Sequence, residues 1–276
     1  MTTLALPAAR FTDLLAAEWL KLRSLRSTYW ALGAGALALI AFNANAARAD
    51  YVNYPHYGGP IHRDFVSWAL RDAFTAGAAM MMVLACAGIG AITVVGEYGT
   101  GLIRTTFTAV PDRRALMAAK AMVVTAVMTV YGAVVAGASF AASQAILDGR
   151  GAGVSIDHPG AWRVVAASAL LAPVSALTGF GIGALIRHSA TTMVLTTFVQ
   201  LLLPAFVTDH YHWTACVRNA LPYNAWVRLV DVGYGTHPFT LAAKYPTTVA
   251  GAWVVFGVWA AVSAVVAVVA VDRRDV

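Results

Sequence analysis

Charge is scarce in this chain. Only 12% of its 276 residues are Asp, Glu, Lys or Arg, against about 25% in an ordinary soluble domain. Together with 59% hydrophobic residues and a mean hydropathy of +0.68, this excludes a typical water-soluble globule and a disordered chain alike. Cysteine is nearly absent: Cys86 and Cys216 cannot make a disulfide framework or a Cys-based zinc ribbon. Several catalytic signatures are missing too. A P-loop needs Gly-Lys, but the three lysines follow Leu20, Ala119 and Ala243. A zinc-protease helix needs His-Glu, but the two glutamates follow Ala17 and Gly96, and no G-x-S-x-G elbow occurs. The net charge of +6 is spread along the chain rather than gathered on one polar element, so nucleic acid is not an expected partner. No ionisable residue stands at the middle of a long apolar run, where proton-coupled carriers and intramembrane enzymes place one.

What is present is a series of long uncharged runs. Between Arg26 and Arg48 there are 21 uncharged residues, between Asp72 and Glu97 24, and between Lys120 and Asp148 27. Three more follow: 23 from Arg163 to Arg187, 21 from Arg187 to Asp209, and 27 from Lys244 to Asp272. A membrane-spanning helix needs about 20 mostly apolar residues. The expected fold class is therefore an all-α membrane protein with six transmembrane helices, at about 28–47, 73–96, 117–146, 164–186, 190–208 and 247–271. In the first run Asn43 and Asn45 confine the apolar part to roughly Tyr29–Phe42. With the N-terminus inside, inner segments carry 11 Lys/Arg and the longer outer loops 8. The Lys/Arg bias favours both termini in the cytoplasm of a multi-pass protein. Asp13 and Glu18 argue against a cleavable leader. No low-complexity linker or clear inverted repeat divides the chain, so 1–276 reads as one transmembrane domain.

The segment 11–27 reads as an interfacial amphipathic helix. Phe11, Leu14, Leu15, Trp19, Leu22 and Leu25 fall within an arc of about 140° at helical spacing, with Lys21, Arg23 and Arg26 off the stripe or at its edge. Glu18 breaks the pattern by lying in the apolar arc. Its partner is either Lys21, at i,i+3 on the lipid surface, or a cation of another element, with Arg104 and Arg26 as candidates. Between the second and third spans, the Gly- and Thr-rich stretch from Gly96 to Thr106 is short enough for a generic loop or a brief helix on the membrane.

These two segments carry a resemblance. Glu18-Trp19-x-Lys21-x-Arg23-Ser24-x-Arg26-Ser27-Thr28-Tyr29-Trp30 resembles the N-terminal signature of ABC-2-type permeases, in particular actinobacterial ones. Gly96-Glu97-Tyr98-Gly99-Thr100-Gly101-x-Ile103-Arg104-Thr105-Thr106, followed by Val110-Pro111-x-Arg113-Arg114 and Ala119-Lys120, is similar to their first cytoplasmic loop. Gly99 departs from the Arg or Gln expected there. The resemblance implies a type V exporter-like architecture and the transmembrane subunit of an ABC exporter in the cell membrane. The chain would not be an enzyme. ATP and magnesium would sit on separate ABC ATPase subunits, with a second permease copy or paralogue and membrane lipids as the other partners, and no cofactor on this chain. It further implies that Glu97, Tyr98, Gly99, Thr100, Gly101, Arg104 and Thr105 form the ATPase-coupling segment. Glu18, Lys21, Arg23 and Arg26 would belong to the connecting helix. The substrate path would run near the second and fifth spans, where Phe74, Met81, Thr197 and Gln200 stand.

The expected outer side carries His56, His62, His158, His210, His212 and His237. His210-x-His212 near Cys216 fits no standard zinc spacing, so no metal is expected. Trp213, Tyr223, Trp226 and Tyr234 suit short helices in an interfacial aromatic belt. A membrane-embedded metal-dependent enzyme, or an assembly protein without transport, is the competing reading, with the His-rich face as its working surface.

Overall fold

The computed structural model describes residues 10–24, 26–110, 112–208, 210–232 and 244–272. Among them every regular element is helical and no strand occurs. The order begins with α1 (Phe11–Ser24), α2 (Arg26–Asn53), a 3-10 turn (Tyr54–His56), α3 (Gly59–Arg63), α4 (Phe65–Asp72), α5 (Ala76–Gly99), α6 (Leu102–Ala109) and α7 (Arg113–Asp148). It continues with α8 (Ala161–Ile186), α9 (Ser189–Thr197), a π turn (Phe198–Leu202), α10 (Leu203–Phe206), α11 (His212–Asn219), α12 (Pro222–Val230) and α13 (Val249–Asp272). Six stretches are long and apolar enough to cross a membrane: Arg26–His56, Phe65–Gly99, Arg113–Asp148, Ala161–Ile186, Ser189–Phe206 and Val249–Val271. Each coincides with most or all of one of the six uncharged runs, so the chain has the helices of a multi-pass membrane protein.

Helix α8 is the axis of the bundle and packs against α5, α7, α9, α12 and α13. Its apolar window is 72% buried, against 17% for α2, which places α8 inside protein and α2 at the periphery. Small residues make this closeness possible, as they do between membrane helices generally. A Cβ on Gly90 of α5 would collide with the Ala176 carbonyl oxygen of α8. A Cβ on Gly179 of α8 would collide with the Ala87 carbonyl oxygen of α5. The two backbones are therefore in reciprocal contact. A Cβ on Gly132 of α7 would likewise strike the carbonyl of Ala169. That carbonyl lies four residues before Pro173, which has no N–H to offer it.

The ends of the spans differ from the sequence expectation for identifiable reasons. Helix α2 does not stop near residue 47 but runs to Asn53. Asn43 does not shorten it, because its side chain is buried and hydrogen-bonded through both its nitrogen and its oxygen. Its Nδ2 donates to Ser139 Oγ at 3.1 Å, and its Oδ1 accepts from the Thr75 backbone N–H at 3.1 Å and Thr75 Oγ1 at 2.8 Å. Thr75 in turn caps α5 by accepting from the Ala78 N–H, so that helix starts at 76 rather than 73. The stretch expected as a plain outer loop before it contains α3 and α4. Phe65, Ala69 and Leu70 of α4 are buried. The fifth span breaks its α-pattern at the π turn because Pro204 cannot donate to the carbonyl of Gln200.

Asn43→Leu is expected to lower stability by about 1–3 kcal/mol, the range for stranding buried polar partners. Ser139, the Thr75 hydroxyl and the Thr75 N–H all lose their partner, and denaturant unfolding of the purified protein measures the loss. A shift below a few tenths of a kcal/mol would show that water or another group replaces the amide.

Candidate functional site

Four charged side chains from three helices meet at the end of the bundle where α1 packs on α7. Glu18 lies on the face of α1 that turns inward together with Leu14, both buried. Lys120 sits two turns into α7, and Glu97 lies in the last turn of α5. The Lys120 ammonium is 2.6 Å from Glu18 Oε2 and 2.7 Å from Glu97 Oε1. The Lys21 ammonium closes the ring at 2.8 Å from Glu18 Oε1 and 3.1 Å from Glu97 Oε1. Two acids alternate with two bases, so the cluster is neutral as a whole. Glu18 and Lys120 are each only 4% exposed. Charges so deeply withdrawn from water are tolerable only when paired and hydrogen-bonded.

Burial alone would lower the pKa of Lys21, but its hydrogen bonds and attraction to Glu18 and Glu97 hold it above the usual 10.5. A raised lysine pKa contributes stability at every pH below the ordinary lysine value and loses it only as pH climbs through the raised value. Lys21 therefore stays charged across the neutral range.

The i,i+3 pair with Lys21 expected for Glu18 is present, and its described long-range partner is Lys120. Arg23 and Arg26 are exposed and outside the cluster. Lys120 escaped the sequence reading because it was counted as the boundary of an uncharged run. Its setting, Ala118-Ala119-Lys120-Ala121, was the available signal: a lysine inside a helix of small apolar residues requires a counter-ion.

The residues expected to form a coupling segment follow on from Glu97 along the chain. Tyr98 is under the Arg187 guanidinium, whose carbon is 4.9 Å from the ring centre. Arg187 ends α8 in the left-handed region at φ 60° and reaches the Ala270 carbonyl of α13 at 3.4 Å. Gly99 is helical, and a Cβ there would meet nothing within 4 Å, so the missing side chain has no steric cause. Thr100 closes α5, its hydroxyl donating to the Gly96 carbonyl at 2.8 Å. Gly101 takes φ +73°, a conformation that favours glycine, and opens α6. Thr105 and Thr106 donate to the Leu102 carbonyl at 2.9 and 2.8 Å. Leu102, Thr105 and Thr108 are exposed. The side chain of Arg104 lies outside the described residues. The segment is thus a brief helix rather than a generic loop, carried on a glycine turn next to a rigid charge cluster.

The four residues expected along a substrate path have different surroundings. Phe74 lines a small cavity of about 20 Å³ together with Asn43, Met82, Ser139 and Trp226, room for about one water. Met81, Thr197 and Gln200 are not among its lining residues. Met81 is exposed, Thr197 half-buried and Gln200 buried. Gln200 turns toward α8, its Nε2 donating to the Ser175 carbonyl at 3.4 Å. The opposite end of the bundle carries the short helices expected of the last loop, α11 and α12. There the Cys216 Sγ lies 3.7 Å from the His212 Nδ1. Among the described residues no group of three or more His, Cys, Asp or Glu side chains could hold a metal ion. His237 and Tyr234 lie outside the described residues.

Compared with protein-family models and with curated proteins, the chain matches none.

Proposed function

We propose that this chain is the transmembrane permease subunit of an ABC-2-type exporter. In this reading it works as a pair of permease copies with two ATPase subunits that bind ATP and magnesium. It sits in the cell membrane with both termini cytoplasmic and moves an amphipathic or apolar substrate outward. The observation that carries the reading is the junction of α1, α5 and α7. The ion cluster of Glu18, Lys21, Glu97 and Lys120 fixes three helices at the point where α6 projects. A short exposed helix on a rigid mount is what a chain without a Gly-Lys nucleotide motif needs in order to receive force from a partner that has one. Closure of an ATPase dimer would press on α6, and the cluster would pass the displacement to α1 and α7 as rigid bodies. The resemblance in the segments around Glu18 and Glu97 supports the same assignment.

Purification from native membranes in mild detergent tests it, by asking whether a P-loop ATPase accompanies the chain. Co-purification is expected. Glu97→Gln and Arg104→Ala are expected to leave ATP hydrolysis largely intact and to abolish its coupling to transport. A chain that purifies alone without nucleotide-dependent behaviour overturns the reading, as does wild-type coupling in both variants.

A further inference from the structure

Helix α1 leaves one side uncovered. Its inward side carries Leu14, Glu18 and Leu22 toward the bundle. On the remaining surface Trp19 is 49% exposed and Leu20 66%, and Arg23 is exposed beside them at one helical turn from Trp19. At the start of α2, Arg26 is exposed and Trp30 is 79% exposed. The spacing Trp19, Arg23, Arg26, Trp30 brackets two arginines with two tryptophans around the point where a peripheral helix becomes a span.

Neither bulk phase suits this surface. Water would leave two indoles and a leucine bare, and hydrocarbon would strip the guanidiniums of their shells. The boundary between them satisfies both, since indole rings settle at headgroup depth and basic side chains reach outward. Charge then selects the headgroup. The two acids of α1 are already engaged: Asp13 accepts from the Arg10 backbone N–H at 2.9 Å, and Glu18 is turned into the ion cluster. From Trp19 to Trp30 the exposed charges, Lys21, Arg23 and Arg26, are all basic, and the exposed carboxylate of Asp13 stands nearly two turns before Trp19. Guanidiniums recognise phosphate oxygens through paired N–H donors.

We infer that the surface shared by the end of α1 and the start of α2 is a binding surface for anionic phospholipid headgroups, in which Arg23 and Arg26 hold the phosphates and Trp19 and Trp30 insert beside them. The inference depends on the membrane location of the chain and not on the exporter reading, so a preparation without any ATPase tests it.

The test uses the full chain in phosphatidylcholine nanodiscs containing phosphatidylglycerol as the minor lipid. Bromine quenchers are placed on the acyl chains of one lipid or the other. The contribution of this surface is the difference in tryptophan quenching between the wild type and the Trp19→Phe/Trp30→Phe variant. Brominated phosphatidylglycerol is expected to quench these two tryptophans several-fold more, per mole of lipid, than brominated phosphatidylcholine. Arg23→Ala and Arg26→Ala are each expected to reduce that preference by about fivefold or to remove it, the factor one basic residue contributes near an anionic surface. Equal quenching by the two lipids overturns the inference, as does a preference that survives loss of both arginines. Absence of quenching by either lipid also overturns it and shows instead that protein covers this surface.

Discussion

Lys120→Met should destabilise the protein by about 3–5 kcal/mol, the cost of removing one partner from a buried ion pair. Lys120 is the only described cation that touches Glu18 and Glu97 from within the bundle. Without it two carboxylates face each other with Lys21 alone, and the Lys21 side chain is 45% exposed and shared with water. The design that tests the cause is a comparison. Glu18→Gln/Glu97→Gln/Lys120→Met removes all the buried charge at once and should regain most of the lost stability, because a buried ion pair contributes little beyond an apolar or neutral substitute. Thermal unfolding in detergent separates the two. If the triple variant is as unstable as the single one, the lysine acts through its packing and not its charge. On the proposed function, the triple variant should fold yet transmit poorly, since amide contacts hold three helices less firmly than a charged ring.

The second large effect is expected at the crossing of α5 and α8. Gly179→Ala and Gly90→Ala each place a methyl group into a backbone carbonyl of the facing helix, Ala87 and Ala176 respectively. A carbonyl in a helix cannot rotate aside as a side-chain tip does, so the axes must separate along their contact. A loss of about 3 kcal/mol or more follows, at the upper end of overpacking costs. Gly257→Ala is the control, since a Cβ at Gly257 of α13 meets nothing within 4 Å. It should be neutral or stabilising by up to about 1 kcal/mol, because alanine is the better helix former. The Gly90→Ala/Gly179→Ala double variant should cost much less than the sum of the singles, because helices already forced apart have room for the second methyl. Additive losses would mean that the two contacts yield independently.

The spans were legible because hydrocarbon excludes charge, and a gap between charges is a direct reading of that exclusion. The same rule hid what lies at the span ends. Arg48 and Asp50 lie on the continuation of α2, which keeps its helical path to Asn53. Lys120 borders an uncharged run and yet lies inside α7, and its partners are 102 and 23 residues away. Pairing over such separations leaves no periodicity in a single sequence. Asn43 was read as a weakness of the first span for the same reason, since its partners Thr75 and Ser139 belong to other segments. The amphipathic spacing of Phe65, Ala69 and Leu70 was a visible sign of α4 and passed unused. Among the residues expected to form a coupling segment, the need for glycine at 101 follows from its φ, whereas nothing in the structure explains the glycine at 99.

The charge cluster also sets an order of assembly. Glu18 leaves the ribosome first, Glu97 next, and the lysine that neutralises both from the bundle side only with the third span. At roughly 5–20 residues per second of synthesis, the first acid waits on the order of 5–20 s before its permanent counter-ion is made. During that interval Lys21 is its sole described companion, and the exposed Lys21–Glu97 contact is the one described ion pair that ties the N-terminal helix to the second span at this end. A nascent chain stopped before Lys120 should therefore remain loosely inserted and open to proteases. Release of the third span is the event that turns a set of separate insertions into one body.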